Sequence, residues 1–335
     1  MILSYNLTFE QGFGQNWLLR VAYVGNVAHR LYGTGDQESG LYQLNPAIYN
    51  PSESPTENEN TTQQRRIYPN YGSVAEIQSG VNSNYNALQL TGEKRFTHGF
   101  SFLASFVWAK AMDDFAPNKS TSFYTNSCIC GRSFDYGPSD DDLSKVIKLN
   151  GNYVTPPVHI NKFANAILNG WEVTGILNWY PTGTPFTIVS GTDNSFSAIG
   201  ADRADLINIS NPKDAMLGHR PHPGVVGQWF NPSDFTANAY GTFGNTGKNI
   251  LRSPGFFNTD LSAIKNTSFK RVALQLRGDI FNVTNHPNFG APDNNASSPT
   301  FGQIGGTLYA NSYGGPTAYG TAQPRVMQFG VKASF

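Results

Sequence analysis

The C-terminal stretch Arg325-Val326-Met327-Gln328-Phe329-Gly330-Val331-Lys332-Ala333-Ser334-Phe335 alternates apolar residues with polar or small ones. Successive side chains of a strand point to opposite faces. Met327, Phe329, Val331, Ala333 and Phe335 therefore share one side, and Gln328, Lys332 and Ser334 the other. An apolar strand face that runs to the chain terminus is unusual for a soluble domain, whose ends tend to fray.

The same alternation recurs upstream. Leu3, Tyr5, Leu7 and Phe9 oppose Ser4, Asn6, Thr8 and Glu10, and Trp17, Leu19, Val21 and Tyr23 oppose a mixed face containing Arg20. Leu88 and Leu90 oppose Gln89, Thr91, Glu93 and Arg95, and Phe100, Phe102, Ala104, Phe106 and Trp108 follow on one face after Thr97-His98-Gly99. Further strands are expected at 145–154, at 171–179 with Trp171, Val173, Leu177 and Trp179 together, at 256–265, and at 272–280 with Gln275, Arg277 and Asp279 on the polar side. With the terminal strand this makes about nine, and helical periodicity is nowhere sustained.

Composition agrees with an all-β chain. Aromatics make up 13% of the 335 residues, with 34 Gly and 20 Pro, a bias toward pleated surfaces and turns. The 23 basic and 23 acidic residues cancel, which disfavours both a nucleic-acid partner and a disordered chain. Mean hydropathy is −0.36, and no apolar run approaches the roughly 18 residues of a membrane helix. A transmembrane strand needs only about 9 to 11 residues, half of them polar, so low hydropathy is compatible with a barrel.

Loop lengths separate a barrel from a soluble sandwich. Connections after the odd-numbered strands are brief, although the one after the fifth strand (Pro156 to Asn169) is longer than a tight turn, whereas 26–84, 112–144, 180–255 and 285–324 are long. Short turns at one rim and long loops at the other are what outer-membrane barrels have, and ending on an aromatic strand is common among them. Counting back from Phe335 makes every brief connection periplasmic. Trp171 and Trp179 lie about 27 Å apart along an extended strand at ~3.4 Å per residue, comparable with the ~25 Å apolar band, so with Trp108 they read as a lipid-facing girdle. Arg20, Glu93, Arg95, Arg277 and Asp279 read as lumenal charges. The competing architecture is a secreted or surface β-sandwich for carbohydrate binding or adhesion.

Several segments resemble the Oar-like TonB-dependent outer-membrane transporters. They are WLLRVAYVGN at 17–26, NYNALQLTGEKRFTHGFSFLASF at 84–106, WFNPSDF at 229–235, GTFGNTGKN at 241–249, RGDIFNVTNHPNFG at 277–290, FGQIGGT at 301–307 and the terminal strand. Within the terminal strand Gln328, Gly330 and Phe335 resemble the signal read by the barrel-assembly machinery, with Ala333 departing from the usual aromatic. The resemblance implies an outer-membrane location, lipid as a partner, and uptake of a bulky solute driven through a TonB-type energy-coupling partner. Such transporters carry a signal peptide, a TonB-contacting segment and a plug ahead of the barrel. Met1-Ile2-Leu3 leads straight into the first strand, and an odd strand number cannot close a single-chain bacterial barrel. The expectation is that residues 1–335 are the C-terminal portion of a larger, here incomplete, barrel.

No catalytic residue and no cofactor are expected. The six histidines form no HExxH, and no GxSxG or P-loop pattern occurs. His219-Arg220-Pro221-His222 and Asp140-Asp141-Asp142 are read as solvated loop segments rather than metal sites. Cys128 and Cys130 fit either a strained disulfide or two free thiols.

Overall fold

The computed structural model describes residues 1–32, 42–76, 79–114, 132–200, 202–218, 227–269, 272–306 and 324–334. Its main element is one antiparallel meander of long strands. These are β1 (Ile2–Phe13), β2 (Trp17–Tyr32), β3 (Ser79–Thr97), β4 (Phe100–Asp113), β5 (Lys145–Val154), β6 (Trp171–Tyr180), β7 (Phe256–Phe269), β8 (Val272–Phe281) and β9 (Val326–Ser334). Each pairs with its sequence neighbours, and the two-residue strand Gly137–Pro138 extends the sheet beside the end of β4. Among the described residues β1 and β9 do not pair with each other, so the sheet is open at both edges.

Local chemistry explains the meander's tight rim. His98 and Gly99 both have positive φ (52° and 77°), the geometry whose twist matches a two-residue hairpin, here between β3 and β4. A side chain at Gly99 would place its Cβ 2.4 Å from the Val154 carbonyl oxygen, so only glycine fits there. β2 and β3 are longer than their alternation suggested. They continue past a bulge between Ala28 and Leu31, out to Tyr32 paired with Ser79.

At the opposite rim the long connections fold together instead of remaining structureless. Four small two-stranded ribbons tie them: Tyr42–Gln43 with Ala75–Glu76, Pro185–Phe186 with Leu251–Arg252, Asp205–Leu206 with Phe235–Thr236, and Gly227–Gln228 with Gln303–Ile304. Phe186, Ile188, Ala204, Ala215, Phe230, Phe235, Leu251 and Phe301 make a core within this cap. Phe230 is its centre, with ring centroids 5.6 Å from Phe235 and 5.1 Å from Phe301 in edge-on contact. The short helix α1 (Pro55–Asn60) starts in a reciprocal capping box between Ser54 and Glu57, and α2 (Arg132–Asp135) delivers a carboxylate to the cap interior.

That carboxylate is buried against a guanidinium. Arg203 Nη2 lies 2.7 Å from Asp135 Oδ1, and the Arg203 guanidinium sits 4.0 Å from the Phe134 ring centre. With both side chains under 4% exposed, the pair resists solvent screening, and removing one partner strands a charge in the interior. Asp135→Ala should destabilise the cap by about 3–5 kcal/mol. Hydrogen exchange of the cap amides, with those of the sheet as the internal reference, measures the loss.

Candidate membrane surface and loop cap

In an antiparallel ladder, directly opposed residues lie on the same face, so the register decides whether the separate apolar stripes join. They do so without a break. Leu7 pairs with Tyr23, Tyr23 with Leu88, and Leu88 with Trp108. Phe106 pairs with Ile147, Ile147 with Trp179, and Trp179 with Phe257. Leu261 pairs with Ile280, and Ile280 with Met327. The face so formed is uncovered: Leu7, Trp108 and Phe329 are 76%, 59% and 80% exposed. A sandwich would bury this face under a second sheet.

Trp108, Trp171 and Trp179 all belong to it. Trp108 sits toward the cap end of β4, Trp179 at the cap end of β6, and Trp171 at the tight rim. Lysines on the same face lie at strand ends. Lys94 Nζ reaches the Thr97 and Phe100 carbonyls at 3.1 and 2.8 Å beside the Trp17 and Phe100 rings, and Lys265 bonds the Asn169 carbonyl over Trp171. Such side chains carry charge to an interface while their stems stay on apolar surface.

The opposite face is more polar, and three pairs of its charges meet. Arg20 Nε lies 2.7 Å from Glu10 across β1 and β2, Arg95 is 3.7 Å from Glu93, and Arg277 is 2.9 Å from Asp279. Glu10, the partner of Arg20, could have been anticipated from the polar face of the first strand. Gln328 is in register with Asp279 and Gly330 with Arg277, so both terminal-strand residues lie on this polar face, whereas Phe335 is outside the described residues. Cys128, Cys130, His219 and His222 also lie outside them.

The aspartate run corrects the sequence reading. Asp141 is exposed, but Asp142 is buried and accepts from the Ala111 amide at 2.6 Å while pairing with Arg252. Asp140 accepts from Asn249 Nδ2 at 2.6 Å. Burial pushes its carboxyl above the ordinary range, opposed by that bond and by Lys248. Lys248 in turn pairs with Asp113 at the end of β4, so the run joins the cap to the sheet rather than dissolving in water.

Buried asparagines were not anticipated as structural residues. Asn45 Nδ2 donates to the carbonyls of Tyr68, Tyr71 and Gly72 within 3.0 Å, and its Oδ1 accepts from the Tyr68 amide. Asn288, in the NHPNFG segment, brackets Phe257 by bonding both its amide and its carbonyl. Asn288 thus ties this segment to the start of β7.

One polar cluster in the cap is incompletely paired. Asp202 Oδ2 accepts from the Ser195 amide at 2.7 Å and from Asn238 Nδ2 at 2.8 Å, while Asp202 Oδ1 and Asn238 Oδ1 are buried without a partner among the described residues. Burial holds the Asp202 carboxyl above its usual range against these hydrogen bonds.

The sequence matches the model of the outer membrane beta barrel domain over residues 1–328. The chain belongs to that family, and its place is the outer membrane. No curated protein matches it by sequence. Similar solved structures include the outer membrane transporter YddB from Escherichia coli, with TM-score 0.46, 11% identity, and coverage of 99% of this chain and 32% of that one. They also include the ferric preacinetobactin receptor BauA from Acinetobacter baumannii, with TM-score 0.43, 10% identity, and coverage of 99% and 29%. The copper transporter OprC has TM-score 0.36, 10% identity, and coverage of 100% and 31%. The chain thus spans about a third of the length of these proteins.

Two outcomes follow. Leu149→Arg, on the apolar face, should destabilise the membrane-inserted protein by about 2–4 kcal/mol, whereas Asn150→Arg on the polar face should be near neutral. Denaturant titration in bilayers compares them. For Asp202 the folded pKa is raised, so this group stabilises the cap progressively as pH falls through that pKa toward the unfolded value of about 3.9. Asp202→Asn should abolish that component, read as the wild-type minus variant difference in cap hydrogen exchange against pH.

Proposed function

We propose that the chain is the C-terminal part of the wall, with the extracellular cap, of an Oar-like TonB-dependent transporter that takes up a bulky solute. The observation that carries the reading is the unbroken apolar face across all the long strands, ending at a folded polar cap on one rim. A transmembrane sheet must satisfy its edge N–H and C=O groups, at several kcal/mol each in lipid. The open edges of β1 and β9 therefore fit further strands of the same barrel. An enzymatic role is not part of this reading.

In this arrangement the tight rim is periplasmic and the cap faces outward. Trp108, Trp171 and Trp179 form the lipid-facing girdle, and Arg20, Glu93, Arg95, Arg277 and Asp279 line the lumen toward a plug. Gln328, Gly330 and Phe335 present the strand end to the barrel-assembly machinery, as an exposed edge can be read by β-augmentation. The segments that carry the resemblance also support the reading, because WFNPSDF and FGQIGGT supply Phe230, Phe235 and Phe301 to the cap core. Solute would meet the cap before the lumen, and TonB coupling would act through the complete protein.

Fractionation of cells producing the natural protein tests this. Retention in carbonate-washed outer membranes, together with solute uptake that stops when the proton-motive force is dissipated, is the expected result. Release as monodisperse protein without detergent would sink the barrel reading and favour a secreted sandwich.

A further inference from the structure

The connection between β5 and β6 is the one exception to the economy of the tight rim. It spans residues 155–170 and contains the helix α3 (Lys162–Leu168). The segment is firmly built. Asn161 caps the helix by accepting from the Ala164 amide at 2.8 Å, Asn165 Oδ1 accepts from the Ile160 amide at 2.9 Å, and Asn169 bonds both the amide and the carbonyl of Val158. Thr155 and Gly170 join the frame through the Trp171 carbonyl and the Asn266 amide.

Among the described residues, nothing covers the apolar side chains that this frame holds. Ile160 and Phe163 are 68% and 79% exposed, and Ile167 and Leu168 are about half exposed. Phe163 and Ile167 are four residues apart and so lie on one helix face. The helix is also tied to the apolar side of the sheet. Trp171, a member of the apolar face, donates its indole N–H to the Ile167 carbonyl at 2.8 Å, and Lys265 lies over the same indole, 5.8 Å from its centre.

We propose that this loop is an interfacial anchor: Ile160, Phe163, Ile167 and Leu168 insert into the headgroup and acyl boundary of the phospholipid leaflet at the periplasmic rim, while Lys162 stays in water. The inference rests on the outer-membrane reading above. Lipid is the occupant because the patch continues the apolar face at the indole of Trp171, where aromatic and cationic side chains already mark an interface. A rigid loop with an apolar tip and a charged flank has the composition of an interfacial helix, although it is only a few residues long.

Site-directed spin labelling tests it in the complete protein, reconstituted into bilayers of phosphatidylethanolamine and phosphatidylglycerol after Cys128→Ser and Cys130→Ser. Nitroxides at Phe163→Cys and Ile167→Cys should collide more with oxygen than with an aqueous nickel chelate, and one at Lys162→Cys should show the reverse. A label at Leu149→Cys, on the apolar face, reports the barrel itself. Aqueous exposure at 163 with lipid exposure at 149 would overturn the anchor and leave the barrel intact. Protection of 163 from both reagents would also overturn it, by assigning the patch to a protein partner. Aqueous exposure at both sites would overturn the two readings together.

Discussion

Everything in this fold depends on the hydrogen-bond register of one antiparallel ladder. A strand's side chains alternate with period two, so a one-residue slip between any two neighbours would move an entire apolar set to the other face. Across β1 to β9 the pairings keep tyrosines, tryptophans, leucines and phenylalanines together, even though the apolar positions are odd-numbered in some strands and even-numbered in others. Parity switches at four of the eight connections and is kept at the other four. The turns therefore do more than reverse the chain: each also sets the phase of the next strand, which makes the paired positive φ values at His98 and Gly99 structurally specific.

The cap obeys a different constraint. It must fold over the rim of a sheet whose own apolar face is turned outward, so it cannot borrow the sheet's hydrophobic surface and assembles a separate core around Phe230. Contacts between the two parts are largely polar: Lys248 with Asp113, Arg252 with Asp142, and Asn249 with Asp140 and the Pro138 carbonyl. Buried pairs of this kind add little net stability compared with apolar packing, but they penalise mispairing severely. They fit a cap that has to sit in one place on the strand ends.

Much of the long-stranded sheet was legible in the residues. Alternation located each long strand and its polar face, and the placing of Trp171 and Trp179 on one face of a single strand follows from parity once that strand is assumed. The asparagines were harder. In sequence Asn45, Asn58 and Asn288 look like ordinary turn formers, yet each is buried and staples backbone groups that no regular ladder satisfies. Asp142 misled for the same reason, since a run of three aspartates looks solvated until a distant arginine is placed beside it.

The sequence by itself determined the strands, their two faces and the unequal rims, because these follow from a period-two pattern and from residues a few positions apart. Only the tertiary structure decided that the apolar stripes join into one surface and that the loops close into a cap. Those outcomes rest on register and on pairs far apart in the chain, such as Arg203 with Asp135 and Lys248 with Asp113, separated by 68 and 135 residues. No local periodicity encodes such partners. Their meeting is set by where the ladder puts the strand ends.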